Sequence, residues 1–109
     1  MEILDLARMQ QIQRELQDKY QWTELVPENG KTFLLWGIGE IGEVIDIIKK
    51  QGNDYIMNDP ETRRDFMTEM ADVYMYLAEV LLCYGITPEE MTKVYEEKHH
   101  YNMHRWDEE

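Results

Sequence analysis

Apolar residues recur at every third or fourth position through two long runs, Thr32–Ile48 (TFLLWGIGEIGEVIDII) and Phe66–Gly85 (FMTEMADVYMYLAEVLLCYG). That period belongs to helices and not to strands, so the two runs commit the chain to an all-α core. Neither run contains a Lys or an Arg, yet each carries a pair of acids three residues apart: Glu40 and Glu43 in the first, Glu69 and Asp72 in the second.

With 23 acidic residues among 109, acids three apart arise by chance, so the spacing alone says little. The setting says more. A carboxylate on a core-forming helix must shed water at a cost unless something pairs with it. No basic side chain lies within a helical turn of either pair. A divalent cation compensates several such charges at once, and hard cations such as Mg²⁺ prefer oxygen ligands.

The flanking signals mark out four helices. A first, polar helix runs from about Ile3 to Tyr20 with a narrow stripe of Ile3, Leu6, Met9, Gln10, Gln13, Leu16 and Tyr20, which places it at the surface. Pro27 and the Asn29-Gly30 pair break the chain there. The second helix spans about Lys31 to Lys50, with Lys49 and Lys50 at its C-terminal dipole and Gly52 as its stop. Residues 51–59 read as a polar connection. Asp59-Pro60-Glu61 opens the third helix, which ends at Gly85, and Thr87-Pro88-Glu89-Glu90 has the spacing of a capping box for a fourth, from Pro88 to about Arg105. Trp106–Glu109 form a short acidic tail.

If the second and third helices fold back as an antiparallel hairpin, Glu43 and Glu69 both lie roughly 12 to 14 Å from the bend at ~1.5 Å per residue, and Glu40 faces Asp72. Four carboxylates then converge without help from a loop. Gly37, Gly39 and Gly42 each cost the helix roughly 0.5 to 1 kcal/mol relative to alanine, and close approach of a neighbouring helix or a ligand would offset it.

One domain is expected from this length, and oligomerisation would help so short a chain bury its apolar surface. The net charge of −12 opposes binding to a nucleic-acid polymer, whose affinity comes mainly from Lys and Arg replacing counterions. A small phosphorylated ligand remains compatible, because a bound metal inverts the sign of an acidic pocket. The single cysteine, Cys83, lies among apolar residues and reads as a buried thiol. With Glu2 and Asp5 near its start and no uninterrupted apolar stretch of ~18 residues, the chain is expected to be cytoplasmic and not membrane-bound.

Glu-x-x-Glu, a gap of 25 residues and then Glu-x-x-Asp on the central helices of a small all-α chain resembles the MazG-type nucleoside triphosphate pyrophosphohydrolases. Lys98, Asn102 and Arg105 add to this, matching the Lys-x-x-x-Asn-x-x-Arg pattern that often follows the acidic motifs in that family. The resemblance covers about Leu34 to Arg105. It implies a four-helix, bundle-like fold completed as a homodimer or homotetramer. It also implies Mg²⁺-dependent hydrolysis of an NTP or dNTP to monophosphate and pyrophosphate, with Mn²⁺ able to substitute and nucleotide-pool cleansing as one purpose. Glu40, Glu43, Glu69 and Asp72 would hold the metal, and Glu43, or Glu40 beside it, would orient or deprotonate the attacking water. Lys98, Asn102 and Arg105 share one helix face that can bind a polyphosphate. Trp36, one turn before Glu40, and Trp22, in the first loop, can stack on a base.

Three other readings compete. Phosphoribosyl-ATP pyrophosphatase belongs to the same superfamily and shares the acidic signature. A catalytically inactive, acidic helical interaction protein would be expected to spread its acids over exposed faces. A di-iron bundle needs inward Glu-x-x-His motifs on two helices, whereas here Glu96-x-x-His99 and Glu97-x-x-His100 overlap on one. Metal binding by His100 and His104 has the right spacing but is equally that of a wet helix end.

Overall fold

A computed structural model describes residues 1–107; Glu108 and Glu109 of the acidic tail lie outside the described residues. Among those described, the chain is all-helical and has no strand. Its α-helices are α1 (Leu6–Tyr20), α2 (Gly30–Gln51), α3 (Asn53–Asn58), α4 (Pro60–Cys83) and α5 (Pro88–His104), with a 3₁₀ turn at Pro27–Asn29 before α2.

The boundaries follow local chemistry. Asp59 caps α4 by accepting from the Thr62 backbone N–H at 3.0 Å and the Thr62 hydroxyl at 2.9 Å. These bonds hold the Asp59 carboxyl below the usual range. At the other end of α4, Gly85 adopts φ 65°, which lets its N–H reach the Leu82 carbonyl and the Ile86 N–H reach that of Leu81. That double closure is a Schellman motif. The capping box expected at α5 is present, with Thr87 and Glu90 exchanging backbone and side-chain bonds.

Two expectations about boundaries are corrected. The first helix begins at Leu6 and not near Ile3, because Asp5 accepts from the Arg8 N–H at 2.8 Å and so caps it. The polar connection holds a further helix, α3, whose Ile56 is buried. The four-helix reading becomes five, since one apolar anchor against the start of α4 suffices to wind six residues.

α2 and α4 form the antiparallel hairpin at the centre of the molecule, with α1 packed on α4. Phe33, Val44, Val73, Ala78 and Cys83 make its core. The expected register holds: a Cβ on Gly37 would sit 3.4 Å from that of Tyr76, so close approach accounts for this glycine. It does not account for Gly39 or Gly42, which face open space. α1 lies at the surface as expected, and the residues of its stripe that it buries are Gln10 and Gln13.

The opposite broad face of the hairpin is bare. Leu34, Ile38, Ile41, Ile45 and Ile48 are all exposed along α2, spaced by four, three, four and three, the interval of a coiled-coil seam. At about 100° per residue this row and the acids lie on opposite flanks of the α2–α4 contact. Met67, Tyr74 and Leu77 are also exposed on α4, Tyr74 and Leu77 bordering a groove shared with α1 and α5. α5 turns by 109° from the direction of α4 and buries none of its residues. The molecule is open as a result, with a radius of gyration of 16.9 Å, against about 13 Å for a compact chain of this length. No single helix among the described residues is long and apolar enough to cross a membrane.

Candidate metal centre and adjoining aromatic cleft

Glu40 from α2 and Glu69 and Asp72 from α4 each offer a carboxylate oxygen, and the three atoms lie within 4.8 Å of one another. All three residues are partly buried. Loss of water pushes the Glu69 carboxyl above its usual range, helped by a hydrogen bond with Glu40 and by the charges of Glu40, Asp72 and Glu43. No cation pulls it back: among the described residues the ion pairs are Arg8–Glu15 and His104–Asp107, both remote from the cluster in sequence and on other helices. Three oxygen donors so close together, with no basic side chain beside them, fit a hard divalent cation, and Glu40, Glu69 and Asp72 are the residues that would hold it.

Glu43, expected as a fourth member, does not join the triad. A step of three residues turns a helix by about 300°, which sets Glu43 about 60° round α2 from Glu40; Glu69 and Asp72 are equally spaced on α4, yet both reach the triad. Glu40 points along the hairpin contact while Glu43 is exposed on its flank, near enough for its charge to act on Glu69.

Beside the triad opens a cleft of about 620 Å³ that Glu40 and Asp72 border directly. Its walls are aromatic. Trp36 stands edge-on to Phe33, with centroids 5.5 Å apart, and 6.3 Å from Tyr76. Trp22 reaches the same cleft from the first loop, its ring stacked on Tyr20 at 5.1 Å. Both tryptophans named from the sequence therefore adjoin the acids.

Lys98, Asn102 and Arg105 are not brought there within one chain. They lie on exposed α5 and its C-cap, where the Lys98 ammonium sits 4.9 Å from the centre of the Tyr101 ring and the Arg105 guanidinium 5.9 Å from it. The α4–α5 turn directs their helix away from the hairpin.

Two residues of the cleft were missed in the sequence: Gln13, 4% exposed, and Glu79, 8% exposed. Burial raises the Glu79 carboxyl above its ordinary range, and the neighbouring Gln13 amide lowers it in part. The folded state therefore holds the Glu79 proton more tightly than the unfolded chain does. The protonated side chain is favoured below its ordinary pKa, and that contribution is lost as pH rises through the folded value. Glu79→Gln should accordingly raise the melting temperature at pH 8, with the gain shrinking towards pH 4, as followed by circular dichroism. An equal gain at both pH values would rule out buried charge as its cause.

No family model, curated protein or solved structure matches this chain.

Proposed function

We propose that the chain is a divalent-cation-dependent nucleoside triphosphate pyrophosphohydrolase, cleaving its substrate between the α- and β-phosphoryl groups to give monophosphate and pyrophosphate. The observation that carries this reading is the juxtaposition of three uncompensated carboxylates with an aromatic cleft large enough for a base. A metal-linked polyphosphate would lie on the first and a planar ring in the second.

The cation, Mg²⁺ or Mn²⁺, would neutralise phosphate charge and lower the pKa of water bound to it. The chain's own groups would do the rest. Glu43, exposed beside the triad and outside it, would accept a proton from the attacking water. Trp36 and Trp22 would hold the base and exclude solvent from one side of the site. The product monophosphate keeps the water oxygen or yields it to pyrophosphate according to which phosphorus is attacked; in either case one water is consumed per anhydride bond broken.

The assembly belongs to the same proposal. The chain exposes 8692 Å², about 2,300 Å² more than expected for a compact monomer of its mass. A second copy laid against the α2 seam by a two-fold axis would cover the bare face and form a four-helix bundle from two hairpins, on the side away from the acids. Lys98, Asn102 and Arg105 could then serve the site only from a neighbouring copy.

The test is a panel of NTPs, dNTPs and phosphoribosyl-ATP incubated with the protein, with and without Mg²⁺, with pyrophosphate and monophosphate as readouts. Mg²⁺-dependent release of both from nucleoside triphosphates is expected. Release from phosphoribosyl-ATP alone would move the chain to that activity, and no release from any of them would end the enzyme reading.

A further inference from the structure

We propose that His100 and His104, at the C-terminal end of α5, form a second metal site that takes a borderline transition-metal cation such as Zn²⁺. It is separate from the acidic triad and does not depend on the pyrophosphohydrolase reading.

Spacing alone suits a ligand pair and a wet helix end equally. The geometry favours the pair. Residues four apart share one helix face, and the two imidazole rings stand with centroids 4.5 Å apart and planes 51° from parallel. A tetrahedral Zn²⁺ bonded at ~2.0–2.1 Å to each of two nitrogens sets those nitrogens about 3.4 Å apart, a span within reach of rings so placed. Asp107 supplies the orientation. A turn closed by the Asp107 N–H on the His104 carbonyl at 3.1 Å brings its carboxylate back, and Oδ2 lies 2.9 Å from Nδ1 of His104. A carboxylate can only accept there, so Nδ1 carries the proton and Nε2 of the neutral ring keeps its lone pair. That carboxylate–histidine–metal order fixes the tautomer and raises the basicity of the ligating nitrogen.

The surroundings admit a cation. Lys98 and Arg105 both sit over the Tyr101 ring, at 4.9 and 5.9 Å, about 100° round the helix from His100, and Arg105 also lies against Trp106 at 5.2 Å. One turn before His100, Glu96 and Glu97 line a shallow depression with it, and their charge adds to the attraction. Lys93 shares that depression but stands about 10 Å back along the axis. His100 and His104 are exposed, so water completes the coordination and the site stays open. Ligand chemistry sorts the two sites: imidazole suits Zn²⁺, Ni²⁺ and Cu²⁺, whereas the carboxylates of the triad suit Mg²⁺.

The test is a calorimetric titration with Zn²⁺ at pH 7.5 in excess Mg²⁺, which occupies the carboxylates, with proton NMR of the imidazole rings alongside. One Zn²⁺ per chain should bind. The ring protons of His100 and His104 should shift, while those of His99, also exposed but about 100° round the same helix, stay in place. His100→Ala and His104→Ala should each weaken binding at least tenfold. Asp107→Ala should weaken it by roughly tenfold, the lower end of the usual range for a group that orients a metal ligand. Glu69→Gln should leave it unchanged. No binding by the wild type, a shift confined to His99, or full affinity in folded His100→Ala and His104→Ala overturns the site. Binding lost in Glu69→Gln and kept in the histidine variants overturns it too, by placing Zn²⁺ on the triad. α5 buries none of its residues, so the histidine variants should keep their circular dichroism; should one unfold, the wild-type ring shifts decide. Nucleotide turnover plays no part in these readouts, so the site and the enzyme reading fail separately.

Discussion

Glu69→Gln is expected to lower kcat/KM by about 10² to 10³ while making the metal-free protein more stable. The two effects have one cause. Glu69 is the carboxylate most crowded by the others, its pKa raised first by desolvation and then by Glu40, Asp72 and Glu43. The folded state therefore holds its proton more tightly than the unfolded chain does. In the absence of metal, stability should rise as pH falls through the folded value of Glu69 and reach its full extent below the ordinary carboxylate range. An amide at this position removes the repulsion at neutral pH and should raise the metal-free melting temperature. Mg²⁺ should stabilise the wild type by a different route, through binding to the charged carboxylates. In the wild type a cation at a hundred times its Kd adds about 2.7 kcal/mol, on the order of 10 °C for a domain of this size. That increment should vanish in Glu69→Gln and weaken as pH is lowered, since protons and metal compete for the same oxygens. Scanning calorimetry across pH 5 to 8, with and without Mg²⁺, reads all of this. A Glu69→Gln protein less stable than the wild type without metal, or one that retains the Mg²⁺ increment, would remove the carboxylates from the metal site.

What the sequence could and could not disclose divides along physical lines. Helix starts were legible because they depend on a few adjacent atoms: Asp59 before Pro60 and Thr87 with Glu90 cap as their spacing implies. The hairpin register was legible as well, because a rigid 1.5 Å rise leaves little freedom once the connection is short. The site was read less well. Judging acids by their spacing selected Glu43, which helical rotation carries onto the flank, and passed over Glu79, which has no partner acid three residues away. Yet Glu79 lies in the same Lys- and Arg-free run as Glu69, so the criterion of an uncompensated charge in an apolar helix, applied to every acid, would have found it. Gln10 and Gln13 fell on the stripe assigned to α1, but nothing local distinguishes a buried glutamine from a solvated one. Their burial comes from α4, more than fifty residues away in the chain. α3 was hidden for a similar reason, since the single apolar anchor Ile56 becomes a helix only when α4 is there to receive it.

Ile38→Glu should convert a dimer into a monomer without unfolding the chain. Ile38 is 62% exposed within one copy, so a carboxylate there meets water and costs the isolated fold little. The consequence changes if a second copy covers the seam. Ile38 lies near the middle of the row from Leu34 to Ile48, and a two-fold axis would bury its replacement twice, once in each copy. Burying an unpaired charge in an apolar interface should raise the dissociation constant at least a hundredfold, about 2.7 kcal/mol. Sedimentation at micromolar concentration should give the wild type at least twice the 13.2 kDa chain mass, and Ile38→Glu that mass alone with its helical circular dichroism intact. The acidic triad lies on the opposite flank of the hairpin, so metal binding should survive in the monomer. Any function of Lys98 and Arg105 at the site should not, because a lone chain holds α5 away from it. A monomeric variant that binds Mg²⁺ but turns over nucleotide poorly would identify the second copy as part of the catalytic unit. A wild type that sediments as a monomer, or an Ile38→Glu protein that remains paired, would leave the exposed row on α2 to some other purpose.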